Sequence, residues 1–246
     1  MPNKSNIKLI IAYDGSNYLG YQDNRTGETI ENSLRKALEK ILQEKIILQA
    51  ASRTDKGVHA NGQVVNFFSS RTIELDNLVF RLNQCLQKDI RILSAKKMPP
   101  SFHPTLEAKA KTYIYYINTQ KICSPHLNKI SWHIFKKLNI EAMKDSARYL
   151  IGEKDFRAFT NRVEENNVRE ILDIQLTYKD PLIIIQVYGV SFLYKMVRNI
   201  VGTLLYVGLE KFKANEVRDI LASKDRKQAG PTAPAHGLFL DSVKYS

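Results

Sequence analysis

The stretch MPPSFHPTLEA, residues 98–108, holds prolines at positions 99, 100 and 104, and the elements on its two sides follow nearly the same order. Proline fixes its own φ and keeps the residue before it out of helix, so the stretch reads as a linker. Before it, IKLIIAYDG reads as a strand stopped by Asp14-Gly15. In TIENSLRKALEKILQEK, Ile30, Leu34, Leu38, Ile41 and Leu42 recur at helical spacing, with Thr29 placed to cap the helix. KIILQAAS and GQVVNFFSS read as strands, residues 76–87 as an amphipathic helix, and IRILSAKKM as a strand. After the linker, AKTYIYYIN reads as a strand, and Ile140, Met143, Ala147, Leu150 and Ile151 mark a helix. VREILDIQLTYKDPLIIIQVYG reads as a hairpin turned at Lys179-Asp180-Pro181. A long apolar helix over 192–210, a shorter one over KANEVRDILAS and a strand at HGLFLDSVKY complete the chain.

The expected fold class is therefore α+β: two similar halves, residues 1–103 and 104–246, each an antiparallel sheet with helices packed on one face. A cleft between two such halves is the expected place for a substrate.

Charge narrows the partner. Lys and Arg outnumber Asp and Glu by 37 to 25, a net charge of +12 spread along the chain. A folded body with a basic face attracts polyanions, nucleic acid or a membrane surface being the usual ones, and nucleic-acid binding is favoured over a basic surface that binds nothing special. Cys85 and Cys123 stand far apart without metal-ligand spacing, so neither a disulfide scaffold nor a structural zinc site is expected. The N-terminal apolar run is too short for a membrane span and lacks a signal-peptide pattern, which makes a reducing cytoplasm the expected location. GxGxxG, GxxxxGKS and HExxH patterns are absent, so neither a nucleotide cofactor nor a metal is announced.

Two segments carry candidate chemistry. In ASRTDKGVHA, residues 51–60, Thr54-Asp55-Lys56-Gly57 lies between two strands and suits a turn, with Gly57 supplying a positive φ. The same loop could present Asp55 as an ionised carboxylate, with Arg53 two residues away to hold its direction. His59, between Val58 and Ala60, reads as a packed histidine with one hydrogen bond. In KAKTYIYY, residues 109–116, alternation puts Lys109, Lys111, Tyr113 and Tyr115 on one face. Lysines can meet phosphates while tyrosines stack on unpaired bases; a half-buried strand with snorkelling lysines gives the same pattern. Arg198 interrupts the apolar helix and needs a partner or a cleft. Lys224, Arg226 and Lys227 read as a solvated helix end before a Gly-Pro loop.

Taken together, YDGSNYLGYQ, SRTDKGVHA, GQVVNF, the SFH of the linker, KTYIYY, GEKDFRAF, MVRNIVGTLLYVG and PAHGLFLDSVKY resemble the tRNA pseudouridine synthase A family, in order, along nearly the whole chain. The resemblance implies a pseudouridine synthase fold and conversion of uridine to pseudouridine at positions 38, 39 and 40 of the tRNA anticodon arm. It further implies a homodimer working without metal or cofactor. It places the essential aspartate at Asp55, the flanking base-flipping arginine at Arg53, the base-packing tyrosine at Tyr113 and the helix arginine at Arg198. Phe102 and His103 fall on the family's FH pair and are expected to meet RNA. Two departures stand out: the loop after that pair reads His103-Pro104-Thr105-Leu106 where the family has an arginine, and Tyr21 replaces a tryptophan. The expected reaction detaches the base at N1, turns it and rejoins it through C5, with the nucleotide flipped from the stem. A non-catalytic RNA-binding protein of the same fold is the alternative.

Overall fold

The structure, a computed structural model, describes residues 4–23 and 26–245 and divides into two compact units: Met1–Lys109 with Leu240–Ser246, and Ala110–Phe239.

In the first unit, β1 (Ser5–Tyr13) is followed by helix α1 (Ile30–Leu42), the two-residue strand β2 (Gln49–Ala50), β3 (His59–Ser69), helix α2 (Leu75–Cys85) and β4 (Ile90–Met98). The sheet order is β4-β1-β3-β10, where β10 (Leu238–Lys244) is the closing strand, and β2 adds to β3. β1 runs antiparallel to both β3 and β4. Strand period puts Ile7, Leu9, Ile11 and Tyr13 on one face of β1, and all are buried. So are the apolar stripes Ile30, Leu34, Ala37 and Leu38 of α1 and Leu78 and Leu82 of α2. Thr29 caps α1 as its sequence position predicts, its side chain accepting from the Asn32 amide at 3.3 Å.

The segment after β4 is no free linker. Phe102, 3% exposed, packs with Ala51 and Val64, and with Ile10, Met98, Val243 and Tyr245 around them. Its carbonyl accepts from Asn6 Nδ2 at 2.9 Å, and Asn6 Nδ2 also donates to Pro99 O at 3.1 Å. Asn66 Nδ2 donates to Asn6 Oδ1 at 2.7 Å. A buried amide pair thus ties the proline-rich segment to the sheet, with Asn66 Oδ1 left without a partner among the described residues.

The second unit contains β5 (Ala110–Asn118), a short helix α3 (Pro125–Asn128), β6 (Trp132–His133), helix α4 (Ile140–Arg148), β7 (Gly152–Asp155), β8 (Val168–Lys179), β9 (Leu182–Gly189), helix α5 (Met196–Gly208) and helix α6 (Glu216–Ser223). The sheet order β5-β9-β8-β7 is antiparallel, and β6 pairs in parallel with the end of β5. The architecture is α+β, with one two-residue parallel pairing that the expected all-antiparallel sheet did not include. Tyr113, Tyr115 and Ile117 of β5 share a buried face with Ile183, Ile185 and Val187 of β9. α5 is shorter than its apolar run suggests. It begins at Met196, because Lys195 is left-handed (φ 60°) and residues 192–194 turn back onto the sheet. Among the described residues, no helix is long and apolar enough to cross a membrane.

Candidate active-site elements

Asp55 stands in a loop fixed by its backbone. Val58 N donates to Asp55 O at 3.1 Å and Gly57 has φ 77°, so residues 55–58 form a turn of the kind that needs glycine at its third place. The turn and the presentation of a carboxylate are thus compatible: the turn sets where the Asp55 side chain leaves the loop. The segment after β1 holds this loop. Tyr21 N donates to Thr54 O at 3.0 Å, Tyr13 Oη and Thr54 Oγ1 lie 2.8 Å apart, and Gly15 N donates to His59 Nδ1 at 3.2 Å. Gly20, at φ 102°, lets the two chains approach, since a Cβ there would stand 2.8 Å from Thr54 O. His59 is buried, and its Nδ1 also lies 3.1 Å from an Asp14 carboxylate oxygen. It is the packed histidine its apolar neighbours suggest. Arg53 is exposed and makes no hydrogen bond or ion pair with any described residue. The expectation that it steers Asp55 is corrected here: hydrogen-bonded backbone holds the loop, and the guanidinium faces outward.

Phe102 is a core residue of the same unit, its ring 5.3 Å from Tyr245. His103 closes the turn after it, with Nδ1 accepting from Thr105 N at 3.2 Å and Leu106 N at 3.3 Å. Thr105, at the place of the absent arginine, donates through Oγ1 to Ala50 O at 2.7 Å.

In the second unit, one face of β5 gathers Tyr113 and the surroundings of Arg198. The Tyr113 ring meets Phe192 edge-on, with centroids 5.1 Å apart at 85°. Such edge-to-face packing is a favoured aromatic geometry. Tyr115, next on that face, is fully buried and donates through its hydroxyl to Pro234 O at 2.9 Å. Burial pushes its phenol well up, and the Arg198 charge pulls the other way, which places Arg198 within electrostatic reach. Arg198 itself donates from Nε to Ala233 O at 2.7 Å, while Ala233 N donates to Arg198 O at 3.1 Å. Arg198 thus lies within electrostatic reach of the residue that follows Tyr113 on that face, and the Tyr115 hydroxyl is taken up by Pro234 O.

The loop that holds Arg198 rests on a network absent from the sequence reading. Arg226 donates from Nη1 to Gly230 O at 2.9 Å and from Nη2 to Asn199 Oδ1 and Thr232 Oγ1, both at 3.0 Å. Burial pushes its guanidinium down from the usual arginine value. Asn199, fully buried, donates to Phe159 O at 2.7 Å and Asn161 Oδ1 at 2.8 Å. So Arg226, read as a solvated helix end, is an internal staple. The one available signal was the Gly-Pro loop directly after it.

The family model described as tRNA pseudouridine synthase matches residues 9–105 and 146–246. The chain belongs to the tRNA pseudouridine synthase family. Within that family it is 49% identical over 246 residues to "tRNA pseudouridine synthase A 2" of Protochlamydia amoebophila (strain UWE25), covering 98% of this chain and 94% of that one. It is 43% identical over 242 residues to "tRNA pseudouridine synthase A" of Thermoanaerobacter sp. (strain X514), covering 98% and 99%. Among solved structures, a chain of a Cbf5-Nop10-Gar1 complex is matched at TM-score 0.37 and 11% identity, over 91% of this chain and 60% of that one. Asp55, Arg53 and Arg198 all lie within the segments that the tRNA pseudouridine synthase model matches, and Tyr113 lies between them.

Proposed function

We propose that the protein isomerises uridine to pseudouridine in tRNA, at positions 38, 39 and 40 of the anticodon arm. The observation that carries this reading is the chain's membership of the family together with a backbone-held loop presenting Asp55. A glycosidic bond breaks when a nucleophile or a negative charge meets the sugar or base, and an oriented carboxylate supplies either. Asp55 takes that role. Tyr113, steadied by Phe192, packs against the uracil once the nucleotide has left its stack, a step costing about a few kcal/mol. Arg198, held by Ala233, supplies a cation to the nucleotide packed on Tyr113. Arg53 projects outward and is suited to fill the vacated place in the stem. His103 meets RNA from the turn it closes, and Phe102 acts from the core by seating that turn.

Conversion of an anticodon-arm RNA under single-turnover conditions tests the reading. Wild type should produce pseudouridine and leave RNA mass unchanged. Asp55→Asn should bind with near wild-type affinity and produce none, because a carboxylate adds nothing to phosphate attraction. Wild-type binding without product would favour a binding module. Affinity should fall steeply with salt, since bound lysines and arginines release counterions. A cytoplasmic homodimer belongs to the same proposal, with sedimentation of the purified protein as its check.

A further inference from the structure

Lys111 is buried, with 9% of its surface exposed, and no other Lys, Arg, Asp or Glu among the described residues is buried so far. Its ammonium makes no ion pair or hydrogen bond with any described residue. Burial pushes its proton affinity down from the usual lysine value. The stem is covered while Nζ keeps contact with solvent, so Lys111 snorkels: the fold buries its methylenes and presents an unpaired ammonium at the rim of that face.

The surroundings show what the position faces. Directly opposed residues of an antiparallel pair share a face, and Lys111 opposes Gly189 as Tyr113 opposes Val187. A Cβ on Gly189 would stand 2.9 Å from Phe192 Cζ, so the Phe192 ring lies over the glycine on the face that Lys111 shares with Tyr113. The same ring meets Tyr113 edge-on. Arg198 acts on Tyr115, the next residue along that face. The strand thus places Lys111 two residues before Tyr113, about 6.8 Å along the strand, while Arg198 lies within electrostatic reach of Tyr115, two residues after it.

We propose that Lys111 is a substrate-positioning residue that binds a backbone phosphate beside the uridine packed on Tyr113. The RNA then supplies the anion that the fold leaves out. This rests on the functional reading above. A nucleotide whose base lies on Tyr113 carries its negative charge to one side of the ring, where a lysine stem running beside Phe192 can meet it.

The test measures binding of an anticodon-arm RNA across salt concentrations, the single-turnover rate at saturating RNA, and the midpoint of thermal unfolding. Wild type is compared with Lys111→Gln, Lys111→Met and Lys111→Arg. Both neutral variants should bind about tenfold more weakly, the worth of one charge-assisted hydrogen bond. Their slope of log affinity against log salt should be shallower by about one. The loss should fall on affinity rather than on the saturating rate, and both should melt close to the wild-type temperature. Lys111→Arg should keep the slope. Unchanged affinity and slope in the neutral variants would overturn the proposal. So would lost affinity accompanied by a lower melting temperature, or a fall in saturating rate at intact affinity. Absence of pseudouridine from the wild type sinks the functional reading; active wild type with unaltered Lys111→Gln binding sinks only this inference.

Discussion

Gly202→Ala should cripple the enzyme well beyond its effect on stability. Gly202 lies in α5, one turn after Arg198, where the backbone of residues 229–233 crosses the helix. A Cβ at Gly202 would overlap the Pro231 carbonyl oxygen and stand 2.8 Å from the carbonyl carbon, both backbone atoms that no rotamer change can move. The loop must retreat by about 1 Å or more, because carbon atoms pack at about 3.5–4.0 Å. Arg198 Nε to Ala233 O, now 2.7 Å, and Ala233 N to Arg198 O, now 3.1 Å, then both leave hydrogen-bonding range. The two lost hydrogen bonds cost about 1 kcal/mol each, so the fold is weakened as well. Over-packing costs about 1–3 kcal/mol, and replacing glycine by alanine in a helix returns about 1 kcal/mol. Activity has no such offset: a shift of about 1 Å in a positioning group costs about 10²-fold. The assay is single-turnover pseudouridine formation beside thermal unfolding of the same preparation. A rate within threefold of wild type would refute the claim that this contact positions Arg198, and so would a rate loss explained entirely by unfolding.

Three further outcomes follow from local geometry. Tyr21→Phe should leave stability unchanged or raise it by up to about 1 kcal/mol, because the buried Tyr21 hydroxyl has no hydrogen-bond partner among the described residues; a clear loss in denaturant unfolding would show that the hydroxyl is satisfied. Asn6→Ala removes the donor to Pro99 O and Phe102 O and the acceptor for Asn66, and should cost about 2–4 kcal/mol. Limited proteolysis should then cut within residues 99–108, and resistance there would show that the amide pair is dispensable. Burial pushes the Asp155 carboxyl up, but Lys224 Nζ at 3.0 Å and the Arg157 amide at 3.0 Å outweigh it and hold the group below its usual value. A lowered carboxyl adds stability above its unfolded value of about 3.9, lost as pH falls through the folded value. Asp155→Asn should therefore flatten the decline in stability below about pH 4, and an unaltered acid limb would count against the pairing.

Periodicity and capping residues exposed most of the elements. Thr29 with its apolar stripe defined α1, and Lys179-Asp180-Pro181 located the turn between β8 and β9. What stayed hidden depends on contacts between residues far apart in sequence. KIILQAAS is apolar enough for a long strand, yet it pairs only at Gln49–Ala50 before the chain turns into the Asp55 loop. The apolar run from 192 suggested helix throughout, but Phe192 is claimed by Gly189 and Tyr113, and α5 starts only after left-handed Lys195. Composition marked residues 98–108 as a connection without revealing Asn6 and Asn66, whose amides fasten it. Alternation put Lys111, Tyr113 and Tyr115 together correctly, though period alone cannot distinguish a stacking tyrosine from one buried against Pro234.

Asp55 and Arg198 share a mode of support that gives these motifs their glycines. Each of these two proposed site residues sits in or beside a segment held by backbone hydrogen bonds, and each crossing uses a position where a Cβ would strike main-chain atoms: Gly20 against Thr54, Gly202 against Pro231. Main-chain contacts of this kind have few rotamers to rearrange, so they fix a catalytic group more tightly than side-chain packing does. Such a design moves the burden of precision from the reacting residues to spacer positions without chemistry of their own. Substituting the spacers should therefore reduce turnover as much as altering a substrate contact, while leaving the charge that attracts RNA intact. That separation distinguishes a positioned active site from a merely basic surface, on which only charge reversal would matter.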